Sequence, residues 1–213
     1  MSSKRKAVKG ERPIIVVAGE DDNDRQVLQH LIRSLHPGMK IVNIKKKTIL
    51  GQADKQLNPR VDELRRLAQV ATVGAKLAGI AVHVDLDLVN EAEYIKVRKR
   101  ITTELSKAFS CPSALALAAF ETEAWLMQFP RAFTNLNPGW NLHARYRGCD
   151  LTKVDDPKGK LMEHPWHPSY RVSDAPRIME KAFEEGTLME PDGRNASYRD
   201  FMNELSSWPP VNR

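Results

Sequence analysis

Residues 79–90 read Gly79-Ile80-Ala81-Val82-His83-Val84-Asp85-Leu86-Asp87-Leu88-Val89-Asn90, and the fold turns on how this stretch is interpreted. Ile80, Ala81, Val82 and Val84 make a short continuous apolar run, the pattern of a parallel strand buried on both faces. The run ends in Asp85 and Asp87. Residues two apart on a strand point the same way, so both carboxylates can face one point in space. Ligands of open α/β sheets collect at the carboxyl ends of strands. A hard cation such as Mg²⁺ or Mn²⁺ is the usual relief for two carboxylates held side by side. An Asp-x-Asp step can equally cap the helix that follows and bind nothing, so its weight depends on the other strand ends.

Upstream, residues 13–18 (Pro-Ile-Ile-Val-Val-Ala) form a second β-branched run and lead straight into Gly19-Glu20-Asp21-Asp22-Asn23-Asp24. Val27, Leu28, Leu31, Ile32 and Leu35 then recur at helical spacing until Pro37-Gly38. Residues 40–44 read as a short strand, and residues 48–59 as a polar loop. Val61, Leu64, Leu67, Ala68, Ala71 and Ala75 mark a long amphipathic helix that feeds residues 80–85. Ile95, Ile101, Thr102 and Leu105 line a further helix. Residues 114–120 (Ala-Leu-Ala-Leu-Ala-Ala-Phe) predict a fourth strand, although their alanines also suit a helix. They deliver Glu121-Thr-Glu123-Ala-Trp125-Leu-Met, a loop entering a helix with Trp125 in the core. Strands alternating with helices predict an α/β, Rossmann-like architecture: a mainly parallel four-stranded sheet with helices on both faces.

Nine of the thirteen prolines fall in residues 130–213, too many for a continuing sheet. Three parts are expected: a flexible basic tail (1–12), an α/β domain (13–129) and a Pro-rich, loop-rich helical extension packed on it (130–213). Its best helices are residues 175–185 and 197–205. A hydrophobic content of 41% is that of an ordinary globular protein. No apolar run reaches the ~20 residues of a membrane span, and no signal core follows the basic start. The two cysteines, Cys111 and Cys149, lack the spacing of a zinc site or a disulfide framework, so a cytoplasmic setting is expected. The net charge of +6 is uneven, with five basic residues against Glu11 in the first twelve positions. Lys45-Lys46-Lys47 and Lys96-Val97-Arg98-Lys99-Arg100 add two clusters. Such clusters favour polyanions, nucleic acid above all, or else they are simply solvated faces.

Acidic groups thus stand at three predicted strand ends: Glu20, Asp85 with Asp87, and Glu121 with Glu123. The first two resemble the motifs of the Toprim domain of topoisomerases and primases, a Glu ending the first strand and a later Asp-x-Asp. Asp24 and Val27-Leu28 follow Glu20 as that motif requires, although Asp21 replaces the usual glycine and Gly19 precedes instead. The chain is also similar to small stand-alone bacterial Toprim-like proteins, through Glu121-Thr-Glu-Ala-Trp-Leu126, Pro157-Lys158 to Leu161, Tyr170 and the stretch from Tyr198 to Trp208. The resemblance implies metal-dependent phosphodiester chemistry on nucleic acid, a nuclease of phage-defence or mobile-element type. It implies Glu20, Asp85 and Asp87 as catalytic residues and Mg²⁺ or Mn²⁺ ligands, Glu121 and Glu123 as further acidic ligands, and Lys158 as a phosphate contact. Two alternatives stand beside it. One is a catalytically inactive Toprim-like module binding nucleic acid or protein. The other is a receiver-like phosphoacceptor domain, which the acidic turn at residues 20–24 also resembles. His164 and His167 lack metal-ligand partners at suitable spacing.

Overall fold

A computed structural model of the chain describes residues 13–51, 56–86 and 91–210; the basic tail and Asp87 lie outside the described residues. Strands β1 (Pro13–Ala18), β2 (Lys40–Asn43), β3 (Lys76–Leu86) and β4 (Ser113–Ala119) form one all-parallel sheet in the order β2-β1-β3-β4. These are the four strands expected from the sequence. β3 begins earlier than its apolar run because Lys76 and Leu77 already pair with Pro13 and Ile14. The connections are helices α1 (Asp22–Leu35), α2 (Leu57–Ala71) and α3 (Glu91–Ala108). From β1 the chain steps outward to β2, then returns past β1 to β3 and on to β4. That reversal makes a topological switch point between β1 and β3, where sheets of this kind usually place a ligand.

Both faces of the sheet are buried, which is why its strands read as continuous apolar runs. On one face Ile14, Val16, Ile80, Val82, Leu115 and Leu117 pack against Val61 and Leu64 of α2 and Ile101 and Leu105 of α3. On the other, Ile15, Val17, Ala81, Ala114, Ala116 and Ala118 meet Leu28 and Ile32 of α1 and a wall supplied from beyond β4. The alternation in β4 therefore has a packing reason. Its leucines face the helices of one side, and its alanines leave room for bulky rings on the other.

That wall contains α4 (Glu123–Leu126), α5 (Pro130–Leu136), α6 (Pro157–Met162), α7 (Ala175–Glu184) and α8 (Ala196–Ser206). Pro130, Pro157 and Pro176 stand in the first turns of their helices, where a missing N–H costs nothing. Ile178 and Met179 of α7 and Tyr198, Phe201 and Leu205 of α8 share one hydrophobic cluster with β1 and β3. The extension is therefore a layer of the core. Trp125 is fully buried in it, stacked on Phe201, with its Nε1 donating to Ser197 Oγ at 2.8 Å. Trp208 lies so close to Gly79 that a Cβ there would come within 2.4 Å of its ring.

β4 is an edge strand, and side chains close it. The N–H of Leu115 donates to Glu204 Oε2 at 2.7 Å, and its carbonyl accepts from Arg98 Nη1 at 3.2 Å. Arg98 also pairs with Glu204 and lies 3.9 Å from Asp200 Oδ2. A bracket from α3 and α8 so occupies backbone groups that would otherwise invite another strand.

Candidate metal centre

The acidic turn after β1 divides its labour. Asp21 is the N-cap of α1, accepting from the N–H of Asp24 at 3.0 Å, a contact worth about 1 kcal/mol. Asp22 pairs with Arg25 and accepts from Gln26 Nε2 at 2.9 Å. Arg25 in turn donates to the carbonyl of Gly19 at 3.0 Å and holds the turn against the helix. Asp24 is left to turn inward, and it is buried.

It meets β3. Within that strand His83 shares a face with Ala81 and Asp85 by the two-residue period, and its ring is 0% exposed. Thr122, just past β4, sets the tautomer. Its single hydroxyl proton goes to Asp24 Oδ1 at 3.1 Å, because a carboxylate can only accept. Thr122 Oγ1 therefore accepts from His83 Nε2, 2.8 Å away. His83 Nδ1 faces Asp24 Oδ2 at 3.3 Å, and Asp85 Oδ1 lies 3.6 Å from Nε2.

One ring nitrogen and one oxygen of each carboxylate all lie within 4.8 Å of one another. Asp24 Oδ2, His83 Nδ1 and Asp85 Oδ1 are buried and have no hydrogen-bond partner among the described residues. A bare imidazole lone pair facing a carboxylate oxygen in a dry site is repulsive unless a cation lies between them. A proton on Nδ1 is one such cation; a metal ion is the other. This buried Asp24–His83–Asp85 group could hold a metal ion.

The electrostatics agree. Burial works against a charged His83, but Asp24 and then Asp85 outweigh it and raise its pKa. Burial pushes Asp85 up to about 7; His83 opposes the rise, while Asp24, Glu20 and Glu123 add to it. Without a metal the group thus gathers protons.

Glu20 is half-buried on the same rim, near enough for its charge to act on both His83 and Asp85, and Lys47 Nζ lies 3.4 Å from its Oε2. Glu121 is drawn elsewhere: its Oε1 accepts from Lys158 Nζ at 2.7 Å and its Oε2 from the Lys158 N–H at 3.0 Å. Glu123 is buried beneath it and accepts from Tyr170 Oη at 3.0 Å. Burial raises its pKa, against the pull of Lys158. Lys45, Lys46 and Lys47 are exposed on the loop after β2, with Lys46 paired to Glu63. Lys96 and Lys99 are exposed on α3, and Arg100 is half-buried there. Arg98 differs from them. It is 16% exposed, and its guanidinium is engaged in the bracket on β4.

Sequence reasoning places Asp24 within a motif but gives it no ligand role, and it passes over His83 and Thr122. One signal is present: a polar His83 inside the apolar run of β3, two residues before Asp85.

Compared with protein-family models, with curated proteins and with solved structures, the chain matches none. The functional reading therefore rests on the chemistry of the site. Among the described residues, no helix is long and apolar enough to cross a membrane.

Proposed function

We propose that the chain is a divalent-metal-dependent phosphodiesterase acting on nucleic acid, with Asp24, His83 and Asp85 as ligands of the ion. The observation that carries this reading is the trio of buried donor atoms, without hydrogen-bond partners among the described residues, at the switch point of the sheet. The Toprim resemblance supports the reaction class, and Glu20 on the rim agrees with it. The donor set also bears on the metal. Mg²⁺ prefers an all-oxygen shell, whereas a shell of two carboxylates and an imidazole suits a first-row ion such as Mn²⁺ better. Donors of one ion at about 2.1 Å with near-right-angle geometry lie about 3 Å apart, close to the 3.3 Å between Asp24 Oδ2 and His83 Nδ1.

Such an ion, when bound, polarises a phosphoryl oxygen and makes water a stronger acid. The rest falls to the chain. Glu20, on the open side, accepts the proton of the attacking water, and Lys47 beside it holds a non-bridging phosphate oxygen. The water oxygen bonds to phosphorus, one ester P–O bond breaks, and the leaving oxygen takes up a proton from solvent at the rim. Thr122 keeps the His83 ring turned so that Nδ1 faces the site. Lys45 and Lys46 extend the cationic track for the neighbouring phosphates.

The test is cleavage of end-labelled single- and double-stranded DNA and RNA with Mn²⁺. Cleavage should occur with the wild-type chain and vanish in Asp85→Asn and Asp24→Asn variants that melt cooperatively. Full cleavage in both variants contradicts the proposal. Mn²⁺ binding with no cleavage of any of the four substrates would place the inactive binding module ahead.

A further inference from the structure

The acidic rim has two halves, and they are tied differently. At Asp24, His83 and Asp85 three buried atoms have no hydrogen-bond partner among the described residues. At Glu121 both carboxylate oxygens are taken by one residue, Lys158, through its ammonium at 2.7 Å and its backbone N–H at 3.0 Å. Lys158 Nζ also lies in the field of Glu123 and of Asp85, which together with Glu121 hold it charged against the effect of its own burial. Glu121 directly precedes Thr122, whose hydroxyl bonds both Asp24 and His83, so the Lys158 charge is anchored one residue from the candidate centre.

The chain goes to some length to put it there. Phe120 and Asp156 are the non-glycine residues with left-handed backbone among those described, at φ 70° and 41°. Phe120 directly precedes Glu121, and Asp156 stands two residues before Lys158. Left-handed conformations of this kind cost on the order of 1–3 kcal/mol and persist where the surroundings enforce them. Asp156 then caps α6 by accepting from the N–H of Gly159 at 2.9 Å. A side chain at position 159 would collide with that cap, since its Cβ would fall 2.1 Å from Asp156 Oδ2. The turn, the cap and the glycine together fix the start of α6, and with it the root of Lys158.

Phosphodiester hydrolysis commonly uses two cations about 3.5–4 Å apart, one for the attacking oxygen and one for the leaving oxygen. We infer that this centre takes one divalent cation per chain, and that the Lys158 ammonium occupies the place of the second. The inference rests on the metal reading above and adds to it the number of ions and the role of a lysine. At 36% exposure the Lys158 side chain can reach a phosphate oxygen while staying on Glu121. A lysine also supplies its charge without the coordination shell of a metal, which explains why Glu121 and Glu123 are oriented toward protein donors.

The experiment is calorimetric titration of the full chain with Mn²⁺ alone, near pH 8, reading stoichiometry rather than activity. The wild-type chain should bind one ion. Lys158→Met keeps the side-chain volume and removes the charge, so Glu121, Glu123 and Asp85 should then take a second, weaker ion and the stoichiometry should rise to two. Lys158→Arg should restore it to one. If Lys158→Met melts below the assay temperature, Lys158→Gln takes its place, with the same expected rise. Two ions in the wild-type chain, or one ion of unchanged affinity in the charge-removed variant, overturns the inference and leaves the metal reading standing. No binding to any of the proteins overturns both.

Discussion

Beyond the ends of β1 and β3, Asp24 and Asp85 flank a fully buried histidine, and three polar atoms have no hydrogen-bond partner among the described residues. At the end of β4, on the same rim, Glu121 has both oxygens bonded to Lys158 and Glu123 accepts from Tyr170. Both halves bring two carboxylates to the same rim. In the second a lysine engages both oxygens of one of them, whereas in the first the facing group is a buried histidine whose Nδ1 makes no hydrogen bond among the described residues. A buried polar atom left without a hydrogen bond costs about 1–3 kcal/mol. Others occur elsewhere, such as Asn43 Oδ1 and Trp208 Nε1, but here three belong to one candidate metal-ligating group. The Arg98–Glu204 bracket on β4 shows the structural use of charge in the same molecule, with both partners engaged with each other and with the backbone. The first half differs, and that difference separates a group that could hold a metal ion from a set of internal ties.

The comparison breaks most visibly in activity. Asp85→Asn or Asp24→Asn should lower metal-dependent cleavage by more than about 10²-fold, while Glu121→Gln should lower it by about tenfold, the range of groups that support metal ligands. Equal losses in all three would erase the distinction between the halves. Metal choice sharpens it next. His83→Gln replaces the nitrogen donor by an amide, so the advantage of Mn²⁺ over Mg²⁺ in a cleavage assay should shrink about tenfold. An unchanged ratio would remove His83 from the ligand set.

Stability provides the counterpart on the internally paired side. Arg98→Met should cost about 1–2 kcal/mol in urea unfolding, because Glu204 and the Leu115 carbonyl lose their donor at a partly exposed site. Lys96→Ala and Lys99→Ala should stay within about 0.5 kcal/mol. In those two, the log-log salt slope of nucleic-acid binding should flatten by about one for each phosphate that is no longer neutralised.

The smallest effect is in pH. Asp85 and His83 both have folded-state pKa values above their ordinary ones. Each binds its proton more tightly when folded, so its contribution is complete at low pH. The Asp85 contribution is lost as pH rises through about 7, and that of His83 as pH rises through its raised value. The metal-free protein should therefore be less stable at pH 8 than at pH 5, and Asp85→Asn should flatten that slope. Added Mn²⁺ should stabilise most at pH 8, where protons no longer compete. A stability that climbs between pH 5 and 8 would contradict the raised values.

Much of the architecture can be read from residue order, because its causes are local. Residues 14–17 and 80–82 are apolar without alternation, which only two-sided burial requires, and Pro37-Gly38 ends α1 as expected. The centre is harder to read, because its ligands come together through strand order. Asp24 reaches His83 only because β1 and β3 are neighbours, a fact that depends on the chain reversing direction after β2. Thr122 is hidden between two glutamates whose carboxylates are the more obvious ligands. Arg98 belongs to a basic run in sequence, yet helical geometry turns it toward α8 while Lys96 and Lys99 face solvent. A linear charge cluster does not distinguish those two orientations.

The central claim is that the unpartnered atoms surround a cation site, and anomalous scattering tests it directly. Diffraction from crystals grown with Mn²⁺ at about pH 8, collected near the manganese absorption edge, should give one strong anomalous peak per chain. That peak should lie about 2.1 Å from Asp24 Oδ2, His83 Nδ1 and Asp85 Oδ1. No peak there, or a peak seated instead between Glu121 and Glu123 with Lys158 displaced, would contradict it.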